Sequence, residues 1–157
     1  MPSQELIRTE LERARGRYHD LLNVLTEHQW QARGARDAWN VGEVMAHVVL
    51  TLETIPERVH RARYGMDWMN LPRPLYNFAN VMNTRFKSGR YRRTTLGAAF
   101  DRSHAIALQV LAGVKAADWP KAARIYNRRS TVEEVLHSAY LHTFEHLDQV
   151  NRILLGR

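Results

Sequence analysis

Apolar residues recur at steps of three and four through four long stretches of this chain, a period that fits amphipathic helices. In the first stretch Ile7, Leu11, Ala14, Tyr18, Leu21 and Leu25 form one stripe behind Ser3 as N-cap, which predicts a helix over 3–27. Asn40-Val41-Gly42-Glu43 has the spacing of a capping box, and beyond it Val44, His47, Val48, Thr51, Leu52, Ile55 and Val59 share a face. Pro56 predicts a kink in this second helix, which ends near Gly65. A short helix over 75–86 follows Pro72 and Pro74. Leu96, Phe100, Ser103, Ala107, Val110 and Val114 predict a third long helix from Thr95, ended by the loop Ala117-Asp118-Trp119-Pro120. A second capping-box spacing, Ser130-Thr131-Val132-Glu133, opens the fourth, with Val135, Ala139, His142, His146, Val150 and Ile153 as its stripe. No segment reads as a strand long enough to pair, and no linker divides two cores. The expected fold class is all-α: one domain over 1–157, a four-helix bundle with a short extra helix between helices 2 and 3.

Cysteine is absent, which excludes disulfides, thiolate ligands and a cysteine nucleophile and leaves nitrogen and oxygen to hold any metal. The charged, interrupted beginning MPSQELIRTELERARGRYHD does not read as a signal peptide, and no stretch has the ~18–20 apolar residues that span a bilayer. A cytoplasmic protein with no membrane segment is expected. A net charge of +7 invites a nucleic-acid reading. The densest basic cluster is Arg85, Lys87, Arg90, Arg92 and Arg93, with Phe86 and Tyr91 interleaved, but no nucleic-acid-binding pattern surrounds it. It reads as a solvated connection, with steering of an acidic small substrate as a lesser role, and nucleic acid is not an expected partner.

Eight histidines occur. His19 and His28 read as exposed, His60 as lying on another face than His47, and His137 as off the inner stripe of its helix. His142 and His146 differ: four residues apart, they stand one turn apart on one face, where both imidazoles reach a single ion. Both replace apolar residues in a core-facing stripe, where an unpartnered imidazole is costly. His47 holds an equivalent position on a helix able to pack against theirs. Three converging imidazoles leave open coordination positions, as catalytic metal sites do. The competing reading gives each histidine its own hydrogen bond inside the bundle.

The segment Asp37-Ala38-Trp39-Asn40-Val41-Gly42-Glu43-Val44-Met45-Ala46-His47 resembles the tryptophan-to-histidine helix of the DinB-like superfamily. His142-Thr143-Phe144-Glu145-His146-Leu147-Asp148-Gln149 resembles its second signature, two histidines four apart followed by a polar pair and Gln. The resemblance covers nearly the whole chain. It implies an up-down-down-up bundle, a divalent metal ion, zinc or nickel foremost, on His47, His142 and His146, and a homodimer. Many members carry a further histidine one turn before the late pair; this chain has Ser138 there and His137 one position off, so any role of that residue is not carried over.

The related activities are those of metal-dependent transferases and isomerases that use low-molecular-weight thiols. The leading expectation is therefore a metal-dependent hydrolase or thiol-dependent transferase, with the thiol as cosubstrate and a small electrophile as substrate. The alternative is a non-catalytic stress-response or ligand-binding module with a structural or vestigial metal. Glu145 and Asp148 read as surface charges, Glu43 as a cap, and Glu53 and Glu57 as lying beside the inner stripe, so no general base is assigned. Thr51 is the foremost candidate to line the pocket, ahead of Tyr140, Ser103 and His104. Trp30, Trp39 and Trp119 read as anchors between loops and core.

Overall fold

The helical periods are realised in a mostly helical molecule, described over residues 4–35 and 37–156 by a computed structural model; the cap expected at Ser3 lies outside these residues. The first helix, α1 (Gln4–Val24), stops three residues short of the expected end. Thr26 opens a separate turn there, α2 (Glu27–Gln31): its hydroxyl accepts from Gln29 N at 3.2 Å, and Gln29 Oε1 accepts from Thr26 N at 2.9 Å. This turn lays Trp30 on Gly42 of α3 (Val41–Glu53), where a Cβ would stand 2.5 Å from Trp30 Cε2.

Ten of the thirteen residues of α3 are buried, as in a central helix covered on all sides. Its cap is the expected one, with Glu43 N donating to Asn40 Oδ1 and Asn40 N to Glu43 Oε2, both at 2.8 Å. The single kinked helix expected over 40–65 is two helices. The chain breaks at Thr54, and Pro56 lies in the first turn of α4 (Ile55–Tyr64), where its missing N–H has no helical partner to lose.

α1 packs on both α6 (Arg93–Ala112) and α7 (Val132–Leu154), and α3 packs on the same two helices. At their centre Tyr18 stacks on Phe100 at 4.1 Å between ring centroids, and its hydroxyl donates to Met45 O at 3.0 Å. Fully buried side chains such as Phe100, Ile7, Leu11 and Leu111 each contribute about 1.5–3 kcal/mol by leaving water. Gln4 Nε2 donates to Leu111 O at 2.8 Å, so the start of α1 meets the end of α6. His137, near the start of α7, bonds Glu10 near the start of α1 at 2.7 Å. The bond ties the ring to a neighbouring helix while its side chain stays 38 % exposed.

The expectation of no paired strand is corrected by an antiparallel hairpin, β1 (Ala122–Ile125) with β2 (Arg128–Thr131), in the register Ile125 opposite Arg128. Its two-residue loop, Tyr126 and Asn127, has φ of 53° and 64°, the left-handed pair that tight hairpins demand. Asn tolerates this conformation; Tyr does so only at a cost. The loop is tied to residues 67–71: Tyr126 N donates to Trp68 O at 3.1 Å, Asn127 N to Asn70 Oδ1 at 2.8 Å, and the Asn127 amide to Leu71 O. The hairpin feeds directly into α7, whose cap is Thr131 paired with Glu134, one position later than the expected Ser130 with Glu133.

The short extra helix is longer than expected, α5 (Arg73–Ser88), and its polarity is inverted. Leu75, Phe78, Met82 and Phe86 lie exposed on its outer side, while Thr84 is completely buried beneath it. No helix among the described residues is long and apolar enough to cross a membrane.

Candidate functional site

α3 and α7 cross where three imidazoles converge. His47 Nε2 lies 3.3 Å from His142 Nε2, and His146 Nε2 lies 3.2 Å from the same atom. The ring centroids of His47 and His146 are 4.8 Å apart. The structure thus brings together all three histidines picked out by spacing and stripe position.

Their outer nitrogens are anchored. His47 Nδ1 lies 3.0 Å from Thr84 Oγ1, His146 Nδ1 lies 2.7 Å from Gln149 Oε1, and Gln149 Nε2 donates to Asp37 Oδ1 at 2.7 Å. The last chain of bonds decides a tautomer. An ionised carboxylate only accepts, so Gln149 turns its amide nitrogen to Asp37 and its oxygen to His146. His146 must then donate from Nδ1, which leaves the Nε2 lone pair of its neutral form pointing at the other two rings. His142 Nε2 carries at most one proton, so only one of its two short contacts can be an ordinary hydrogen bond.

The surroundings keep these rings uncharged. His47 is 6 % exposed, and burial, with the neighbouring His146, lowers its pKa to about 3. His142 is pushed well below the ordinary histidine value, by burial first and then by His146, His47 and Arg58. Burial also lowers His146, with the Gln149 bond acting the other way. A neutral imidazole with its lone pair inward is the form in which histidine binds a metal, and His146 is held in it; together the three rings could hold an ion.

The cluster opens on a cavity of about 710 Å³, within the range of small-molecule sites. Three polar stripes wall it. His47, Thr51, Thr54 and Arg58 come from α3, the break and α4; Ser138, His142, Glu145 and His146 come from α7; Tyr76, Asn77 and Asn80 come from α5. Tyr126 of the hairpin closes one side. Trp39 is both core and wall, its ring 4.5 Å from that of His47, so it is more than the expected anchor.

Thr51 lines the cavity as expected. Ser103 and His104 do not: they are buried on α6, where His104 faces Glu12 of α1 at 3.8 Å. Tyr140 is not on the cavity wall; Glu145 is exposed, as read for a surface charge, yet stands at the cavity's edge rather than facing away from it. His19 is half-buried against Asp101 at 2.9 Å rather than exposed. The basic cluster is engaged elsewhere: Arg90 bonds Glu53 at 2.8 Å, Arg93 lies 3.7 Å from Glu27, and Arg85 donates to Ala38 O at 2.6 Å. The cavity's own cations are Arg58 and Arg73. Arg58 has a sequence signal, standing eleven residues, or three turns, beyond His47. Thr84 has none, and Asp37, although it opens the tryptophan-to-histidine segment, carries no sign of its contact with Gln149, because no period links either residue to the later histidines.

A family model described as the DinB superfamily matches residues 10–150. The chain matches no curated protein.

Proposed function

The chain belongs to the DinB superfamily, and from that premise we propose that His47, His142 and His146 hold a divalent metal ion, zinc or nickel foremost, at the head of a substrate cavity. The observation that carries this reading is the meeting of three Nε2 atoms at 3.2 and 3.3 Å, with the lone pair of His146 directed inward through Gln149 and Asp37. A tetrahedral set of nitrogens at ~2.0–2.1 Å from a zinc ion has edges of about 3.3 Å. Two of the three donor–donor edges match this length and the third lies within 4.8 Å, so the donor set fits the group. Gln149 and Thr84 are the outer partners that orient histidine ligands in such sites.

A bound divalent ion would supply Lewis-acid chemistry, acidifying water or a thiol and polarising a carbonyl. The activity proposed is metal-dependent hydrolysis or thiol-dependent transfer on a small electrophile, with a low-molecular-weight thiol as cosubstrate in the second case. The absence of cysteine accords with a nucleophile that arrives from outside. The chain's residues then have distinct tasks. The α5 stripe and Tyr126 shape the cavity, Thr51 offers a hydroxyl beside His47, and Glu145 is the carboxylate available to accept a proton.

The up-down-down-up order belongs to the same reading. It is supported by the contact of the start of α1 with the end of α6, of the starts of α1 and α7 with each other, and of the residues just before α3 with the second half of α7. One domain over 1–157, a homodimer and a cytoplasmic location are proposed with it; the apolar row on α5 is surface available for self-association.

Elemental analysis of purified protein tests the centre: about one metal per chain is expected, lost in His142→Ala with His146→Ala. Metal-free wild type that also refuses zinc, nickel and cobalt sinks the assignment. In cobalt-substituted protein an open site shifts its visible spectrum on adding thiol or azide, whereas an unmoved spectrum indicates a closed structural ion. Glu145→Gln should keep the metal and slow turnover about 10²-fold or more.

A further inference from the structure

Arg58 is the buried charge in this cavity that its protein neighbours do not explain. The residue is only 9 % exposed. Nη2 donates to Ser138 Oγ at 2.9 Å, the guanidinium carbon lies 5.4 Å from the centre of the Tyr126 ring, and Nε is buried with no hydrogen-bond partner. Among the described residues no carboxylate pairs with it. Arg15, Arg33, Arg61, Arg63 and Arg90, all more exposed, each have one within 4.0 Å. A buried charge without a counter-charge costs several kcal/mol, and a guanidinium does not escape by losing its proton. Tyr126, beneath it, stands at a left-handed φ of 53°, a conformation that costs about 1–3 kcal/mol for such a residue. Two unfavourable features thus meet on one wall, and a bound anion would remove the larger.

We propose that Arg58 anchors a carboxylate on the small molecule that the histidine cavity takes, with the Ser138 hydroxyl holding the guanidinium in place. The inference rests on the reading of this cavity as a substrate site. A guanidinium offers parallel N–H donors that match the two oxygens of a carboxylate, and burial strengthens the pairing. Position sets the size of the ligand. Ser138 precedes His142 by one turn, ~6 Å along the helix axis. The carboxylate and the reacting atom are therefore separated by a few bonds, as in a short-chain carboxylic acid or an amino-acid-like molecule. The amide side chains of Asn77 and Asn80, across the cavity on α5, suit further polar groups on the same ligand.

Titration of the protein with butyrate and with butyramide, its neutral counterpart, followed by ligand-observed NMR, tests the anchor in zinc-loaded and chelator-stripped samples. Butyrate should bind at least about 10-fold more tightly than butyramide in both forms. Arg58→Met should weaken butyrate about 10- to 100-fold and leave butyramide unchanged. Thermal unfolding of that variant should be no lower than wild type, because the buried charge removed has no carboxylate partner in the protein and its cost outweighs the single Ser138 bond. Equal binding of acid and amide, or butyrate affinity unchanged by Arg58→Met, overturns the proposal. If the preference appears only with zinc and survives Arg58→Met, the metal holds the acid; the anchor then fails and the metal reading stands. If zinc does not bind but the Arg58-dependent preference remains, the metal reading fails and the anchor stands. Should Arg58→Met not fold, Arg58→Lys decides: loss of the planar fork should lower butyrate affinity several-fold, and an unchanged affinity overturns the proposal.

Discussion

His146 takes its orientation from a carboxylate two side chains away, and this is the scale at which the site's chemistry is determined. Asp37 orients Gln149, Gln149 fixes the imidazole proton, and the remaining lone pair points at His142 and His47. Burial, the same cause that makes the three rings ready ligands, makes them a liability in acid. His47 has a pKa of about 3 against an ordinary 6.5, first from burial and then from His146. The unfolded chain therefore binds more protons than the folded one below about pH 6.5. Stability is fully present above that pH and falls as the pH drops toward 3, by up to ~1.4 kcal/mol per pH unit for each such histidine. The denaturant midpoint of chelator-stripped protein should fall steadily from pH 6.5 to 4, less steeply in His47→Leu; a flat profile over that range counts against neutral burial. At this scale the spacing of His142 and His146 was legible, and so was the inward position of His47. Thr84 and Asp37 were not, since a hydrogen bond between distant segments leaves no period in either one.

Elements were read best where a cap or a period is local and worst where tertiary contacts override it. The Asn40 box opens α3 as expected, yet the 3–27 period breaks at Thr26 because α2 must carry Trp30 onto Gly42. Gly42→Ala tests that contact. Its Cβ would lie 2.5 Å from the indole, so Trp30 must move, at a cost of about 1–3 kcal/mol despite alanine's better helix propensity. A lowered denaturant midpoint with altered tryptophan fluorescence is the expected result, and a midpoint at or above wild type would show that the ring is not held there. The hairpin leaves little trace in the sequence because its strands are four residues long and its left-handed loop uses Tyr-Asn rather than a glycine pair. α5 carries its polar stripe toward the cavity and its apolar row outward, against the usual rule that the apolar face of a helix seeks the core.

Across the whole molecule, an ion on His47, His142 and His146 would join α3 to α7, helices 95 residues apart in sequence at His47 and His142. A ligand bound only by the folded state adds about 4 kcal/mol at a thousand-fold excess over Kd. For a chain of this size that is a rise of ~8–16 °C in Tm. Zinc or nickel should raise the melting temperature of stripped wild type by this order and leave His142→Ala with His146→Ala unmoved; equal shifts in both would place the ion elsewhere. The sequence by itself determined the helical class, the main stripes, the family likeness and the three histidines, because each rests on a spacing of a few residues or on a short motif. Only the tertiary structure decided what surrounds them. The meeting of three ring nitrogens, the buried Arg58 without a counter-charge, Glu145 on the cavity wall and the inverted α5 all depend on segments packed from far apart. A one-dimensional period records which face of a helix is apolar, but not which charge from another helix comes to lie against it.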